Sequence, residues 1–299
     1  MLDLLRKLDP VAYAVRRARA LARRRAGLSR REARLPSGLD VVYLDSGGAG
    51  APLVLVHGIG ASKDHWPPLA ERLGGRFRIV APDLPGYGES THDADTSLAG
   101  LSAAVHELAE ALELGRFHLA GSSMGGRVAA EVAAAHPGAV RTLWLLDPAG
   151  ARGEALSEMI ERTEAGEPPP LFSRTPEEYA DVVSFTMSEP PDIPRPALRV
   201  LAAEGALHYD RYRRLFEALA DELRDGPTTE ELLAGLDVPT LVTWGGADRV
   251  LHPSGAATIA AAMPRATPHV MPGLGHVPML EDPDGTAAAY LAWLETVGA

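Results

Sequence analysis

From residue 39 onward the chain alternates short apolar runs with helical stretches. The apolar runs fall at 41–44, 53–57, 77–81, 117–120, 143–146, 241–244 and 268–271. Helical patterns lie near 62–73, 97–113, 124–136, 254–263 and 284–296. Strands that are apolar throughout, separated by helices, imply a mostly parallel sheet covered on both faces. One block breaks the rhythm. Residues 150–235 carry helical patterns and many prolines (Pro168 to Pro170, Pro190, Pro191, Pro194, Pro196) but no strand pattern. An insertion of this size predicts a helical cap over the carboxyl edge of the sheet, where such folds bind ligands. The expected organisation is an N-terminal segment 1–36, a core formed by 37–149 and 236–299, and a cap at 150–235. No internal repeat is present.

The chemistry begins at Gly121-Ser122-Ser123-Met124-Gly125. A G-x-S-x-G string is weak alone, but this one follows an apolar strand and opens a helix, which is the context the motif requires. The serine of such a turn sits in a sharp, strained bend, and small residues two before and two after let the backbone fold back. Ser123 is the candidate nucleophile. Ser122 is not, because Ala120 and Met124 occupy the flanking positions.

A serine hydroxyl needs a base to attack a carbonyl. Of the ten histidines, His276 lies in Gly273-Leu274-Gly275-His276-Val277-Pro278, after the last strand and before the last helix. That places it at the same sheet edge as Ser123. The base in turn needs an acid that fixes its tautomer and stabilises the imidazolium. Asp248 follows the strand 241–244 through Gly245-Gly246-Ala247, and Asp147 ends the preceding strand. Both satisfy the order Ser…Asp…His. Asp248 is preferred because its glycine-rich turn exposes it beside the His276 loop. Two backbone N–H groups, of Ile59 in His57-Gly58-Ile59-Gly60 and of Met124 after the nucleophile, are positioned to form an oxyanion hole. His57 is expected to brace that loop. Leu171, Phe172, Val183 and Met187, within the cap block, are candidates to line an acyl pocket.

Charge separates the two ends of the chain. The net charge is -11, yet residues 1–36 carry a net +8 and the remainder -19. An acidic body excludes nucleic acid as a partner, since phosphate binding needs the opposite sign. The 1–36 segment reads as a helix. Asp9-Pro10 is a start signal, and Leu4, Leu8, Val11, Val15, Ala18 and Ala22 share a face. Arginines interrupt every apolar stretch, so neither a membrane span nor a secretory signal is expected. The helix can dock on the acidic body or lie on an anionic membrane surface. The expected location is cytoplasmic with peripheral membrane contact. With no cysteine, disulfides and thiolate metal sites are impossible. No metal or cofactor is implied.

With these residues in place, residues 38–298 resemble α/β-hydrolases of the monoacylglycerol lipase and carboxylesterase type. The strings that carry the resemblance are His57 to Trp66, Asp83-Leu84-Pro85-Gly86-Tyr87-Gly88, Ser122 to Gly126, Thr175-Pro176-Glu177-Glu178 and Trp244 to Asp248. The resemblance implies the α/β-hydrolase fold, with Ser123, Asp248 and His276 as nucleophile, acid and base. It departs at the N-terminus, where the membrane-anchored relatives carry a hydrophobic span and this chain does not.

The expected activity is hydrolysis of a carboxylic ester through an acyl-enzyme, on a small-molecule ester or lipid such as a monoacylglycerol. Epoxide hydrolases and haloalkane dehalogenases place an aspartate at the nucleophile position and are disfavoured. Carbon–carbon bond hydrolases keep the same triad, and an arginine-bearing cap pocket would favour them. A non-catalytic ligand binder of the same fold is the alternative from a different class.

Overall fold

The computed structural model describes residues 9–299. In chain order the elements are α1 (Pro10–Arg25), β1 (Ser29–Arg34), β2 (Asp40–Asp45), β3 (Ala51–Val56), a 3₁₀ turn (Lys63–His65), α2 (Pro67–Leu73), β4 (Phe77–Pro82), α3 (Leu98–Ala111), β5 (Phe117–Ser122), α4 (Met124–Ala135) and β6 (Val140–Leu146). Then come α5 (Glu158–Glu164), α6 (Pro176–Thr186), α7 (Arg195–Asp225), α8 (Thr229–Leu232), β7 (Thr240–Gly245), α9 (Gly255–Ala262), β8 (Ala266–Met271), α10 (Pro278–Glu281) and α11 (Pro283–Val297).

The eight strands form one sheet in the order β1-β2-β4-β3-β5-β6-β7-β8. The pairs from β4 and β3 across to β8 are parallel, and β1 and β2 are antiparallel. This is the mostly parallel α/β sheet expected of the α/β-hydrolase fold. Side-chain alternation splits the core into two layers. Val54, Val56, Val80, Leu119 and Val242 pack with Leu101, Leu108 and Val128 of α3 and α4. Leu53, Leu55, Ile79, Ala120 and Leu241 pack on the opposite face with Leu69 and Leu294 of α2 and α11. There Trp144 stacks on Tyr290 with ring centroids 4.1 Å apart. Both faces are covered, which is why the central strands read as continuous apolar runs. Between β6 and β7 the chain forms helices and loops only.

The N-terminal segment differs from its sequence reading. The helix ends at Arg25. Asp9 caps its start, accepting the Ala12 N–H at 2.8 Å. At its end Gly27, at φ +68°, lets the Leu28 N–H reach back to the Arg23 carbonyl. Residues 29–34 are not helical. They form β1, paired at all six positions with β2. Five of those six side chains are exposed, so no apolar alternation marks the strand. Its conformation comes from the sheet edge it completes, while Leu28 and Leu35 bury themselves on either side of it. Of the proposed apolar helix face, Leu4 and Leu8 lie outside the described residues. Val11, Val15 and Ala22 are half-buried and Ala18 is exposed. Two ion pairs dock α1 on the body: Arg19 to Glu204 of α7 at 2.6 Å, and Arg23 to Asp64 of the 3₁₀ turn. Among the described residues, no helix is long and apolar enough to cross a membrane.

Candidate active site

Ser123 sits between β5 and the first residue of α4, at φ +56° and ψ −121°. This conformation is costly for a residue with a Cβ. The turn survives because its surroundings leave no alternative. A Cβ at Gly121 would collide with the Gly125 carbonyl, and one at Gly125 with the carbonyls of Val56 and His57. The Ser123 carbonyl is held by the N–H groups of Gly126 and Ala149, both at 2.9 Å, and its own N–H donates to Leu146 at 3.0 Å. The result is a serine raised above the carboxyl edge of the sheet on a rigid bend.

His276 and Asp248 meet at this edge. The imidazole Nδ1 lies 2.8 Å from Asp248 Oδ2, and both residues are buried. Trp244 Nε1–H donates to the same oxygen at 3.1 Å. The other oxygen accepts the Val250 and Leu251 N–H groups at 2.7 and 3.1 Å. So many donors fix the carboxylate in orientation. With Nδ1–H directed at the acid, Nε2 is the free, basic nitrogen. Ser123 and His276 line one cavity, and no hydrogen bond joins their side chains. Such contacts tighten when substrate binds.

The loop after β3 runs along the other side of the serine. A Cβ at Gly58 would stand 3.2 Å from the Ser123 Cβ, so the glycine allows the close approach. His57 is buried, with Nδ1 2.8 Å from the Gly58 carbonyl and Nε2 accepting the Leu84 N–H at 3.0 Å. Burial pushes its pKa down, and this pair of bonds fixes the Nδ1–H tautomer. The bracing expected of His57 is therefore present. The backbone N–H groups of Ile59 and Met124 bond to no described residue.

Five groups to which sequence reasoning gave no role hold this frame. Lys63 is buried, with Nζ 2.6 Å from Asp83 and 2.7 Å from Glu89; the pair locks the loop after Ile59 to the turn after β4. Both halves of the signal stood in the strings carrying the family resemblance, but nothing in the sequence joined them. Glu281 of α10 accepts the N–H of Gly275 at 2.8 Å and of Ser188 at 2.6 Å. The Thr186 carbonyl accepts the His276 N–H at 2.8 Å. The end of α6 thus clamps the histidine loop.

Leu171, Phe172, Val183 and Met187 all line the cavity in front of Ser123, which has a volume of about 460 Å³. Val182, Ile193 and Leu280 line it as well. Asp147, the rival acid, is fully buried at φ +45°. Burial, then the charge of Asp248, raises its pKa well above the usual carboxylate range. Among the described residues, Asp147, Asp248 and His276 form the one cluster that could offer three metal-ligand atoms within 4.8 Å of one another. Its donor set fits a metal poorly, because N–H donors and the imidazole already occupy the Asp248 oxygens.

Comparison with known proteins bears on the family of the chain. The family model described as "Alpha/beta hydrolase family" matches residues 53–289. Lipase 1 of Psychrobacter immobilis is 32% identical over 275 residues, covering 91% of this chain and 86% of that protein. Human monoacylglycerol lipase ABHD6 is 30% identical over 255 residues, covering 82% of this chain and 75% of that protein. The crystal structure of a membrane phospholipase A superposes with a TM-score of 0.90 at 35% identity, covering 96% of this chain and 92% of that one. Sheet order, the Ser123 turn and sequence likeness point the same way, and the chain belongs to the alpha/beta hydrolase family.

Proposed function

We propose that this protein is a serine hydrolase of carboxylic esters with lipid-like acyl chains, working through an acyl-enzyme. The observation that carries the reading is the strained Ser123 turn sharing one largely apolar cavity with His276, whose ring Asp248 holds. Ser123 Oγ attacks the ester carbonyl while His276 Nε2 takes its proton. Asp248 stabilises the imidazolium without itself being protonated. The tetrahedral oxyanion is held by the N–H groups of Ile59 and Met124. On collapse the C–O bond to the alcohol breaks, and His276 returns the proton to the leaving alkoxide. Water then repeats the sequence on the acyl-enzyme, releasing the carboxylic acid and restoring Ser123.

Residues 150–235 act in this reading as the cap, with Leu171, Phe172, Val183 and Met187 as acyl contacts. The cavity lining includes no arginine. That favours a lipid-like chain over the anionic substrate on which the carbon–carbon hydrolase alternative depends. The names of the relatives, lipase and monoacylglycerol lipase, support the same class. The exposed arginines of α1, among them Arg16, Arg17, Arg24 and Arg25, suit peripheral contact with an anionic membrane.

The test is fluorophosphonate labelling together with hydrolysis of p-nitrophenyl esters. Ser123→Ala should abolish both and leave the melting temperature near the parent value. Labelling retained in the variant would refute the assignment of the nucleophile.

A further inference from the structure

The cavity at Ser123 does not end at the oxyanion loop. A second, more open cavity of about 730 Å³ lies beyond it, flanked by α1, the 3₁₀ turn and α7. The two share a neck. Gly60, Ala61 and His65 form its body side, and Tyr179, Gly205 and Tyr212 its cap side. The linings differ sharply. The first is largely apolar, while the second includes Arg19, Arg23, Lys63, Asp64, Glu89 and Glu204. An ester of a fatty acid has two such halves, and the scissile bond must lie at Ser123, next to the neck.

We propose that the second cavity receives the alcohol half of the ester, a neutral hydroxyl-rich group of the glycerol type, with His65 and Tyr179 as its specificity-determining contacts. This rests on the ester-hydrolase reading above. Three observations select the ligand. First, the charges in the second cavity are matched among themselves: Arg19 with Glu204, Arg23 with Asp64, and Lys63 with Asp83 and Glu89. Arg16 stands exposed at the rim, where water screens it. The compartment therefore offers many hydrogen-bonding groups with little net field, which suits hydroxyls better than a phosphate.

Second, two polar side chains at the neck lack partners. His65 and Tyr179 are half-buried residues, and neither side chain makes a hydrogen bond with a described residue. A half-buried polar group without a partner is costly unless a ligand or water satisfies it. Third, His65 is uncharged at working pH, since burial pushes its pKa down to about 4. A neutral imidazole can both donate to and accept from a hydroxyl, and the Tyr179 phenol can do the same from the opposite wall.

The experiment compares kcat/KM for 1-monooctanoylglycerol, ethyl octanoate and octanoyl-glycerol phosphate, which carry one acyl chain and three alcohol parts. The parent protein should prefer the glycerol ester over the ethyl ester by about tenfold or more, the ratio expected from one or two hydrogen bonds. His65→Leu and Tyr179→Phe should each lower that ratio, mainly through KM. His65→Gln should restore most of it, because an amide also donates and accepts. A ratio near one in the parent overturns the proposal. So does an equal loss on both esters in His65→Leu and Tyr179→Phe, or a preference for the phosphate ester. If none of the esters is cleaved, the ester-hydrolase reading itself falls. If they are cleaved without discrimination, that reading stands and only the alcohol compartment is lost.

Discussion

Asp147 Oδ1 accepts the Gly245 N–H at 2.7 Å, tying the end of β6 to the turn that carries Asp248. Its other oxygen, Oδ2, is buried without a partner. A raised pKa means that the folded protein holds a proton on Asp147 that the unfolded chain gives up. The linked stability is therefore complete below the ordinary carboxylate range and is lost as pH rises toward the folded value. Asn is close in shape to the neutral acid and keeps an oxygen for Gly245. Asp147→Asn should thus change kcat by no more than a few-fold, with its melting temperature gaining on the parent as pH goes from 4 to 8. Asp248→Asn should lower kcat by about 10⁴-fold, as in other triads. Equal losses in the two variants would show that the acid role is shared.

The Ser123 turn, the His276 loop and the Asp248 turn could be read from sequence because each is a short string with a local steric reason. Gly121 and Gly125 are small because backbone passes against them. Other parts were not legible. The Lys63–Asp83–Glu89 cluster spans 26 residues, and no local pattern records that its charges meet inside the protein. β1 was hidden for another reason: its Arg-rich residues suit an exposed edge strand as well as a basic helix. Gly27 was the usable signal there, a helix stop that the arginine run obscured. Asp147 and Asp248 were separable only by position, and it is the ring of N–H donors around Asp248 that distinguishes them in space.

Glu281 offers a test of how α6 and α10 hold the His276 loop. One of its oxygens takes the N–H before His276 and the other an N–H just past α6. Glu281→Ala leaves both donors without a partner and frees the histidine loop. We expect kcat on a short p-nitrophenyl ester to fall about tenfold or more, since sub-ångström misplacement of a base is costly. Glu281→Gln, which keeps one good acceptor, should lose less. A parental kcat in Glu281→Ala would show that the Thr186 carbonyl alone fixes the loop.

Buried neutral histidines set the acid limit of stability. Burial pushes His118 down to about 4, and its ring bonds Thr142 Oγ1 at 2.7 Å. The unfolded chain binds that proton near pH 6.5. A depressed folded pKa gives stability that is present above the unfolded value and lost as pH falls toward the folded one. His118 should therefore contribute a loss of up to about 3 kcal/mol between pH 6.5 and 4. Urea unfolding across that range should show a shallower fall for His118→Gln, whatever its absolute stability. An unchanged slope would mean that His118 stays neutral in both states or charges in both.

Where α1 is removed decides what its removal tests. A chain starting at Pro36 would lack β1, and with it the six-residue pairing to β2 and the buried Leu28 and Leu35. Such a variant should lose stability for reasons unrelated to lipid. A chain starting at Gly27 keeps the strand and both leucines, and loses only the helix. The Arg19–Glu204 and Arg23–Asp64 pairs disappear with it, but water reaches the carboxylates left behind, so the cost should be about 1 kcal/mol or less for each. This shorter chain should fold, hydrolyse short water-soluble esters near the parent rate, and no longer co-sediment with anionic vesicles. The full-length protein should co-sediment at low salt and release at high salt, because screening weakens each arginine's attraction to the surface. Undiminished vesicle binding by the chain starting at Gly27 would place the membrane contact elsewhere.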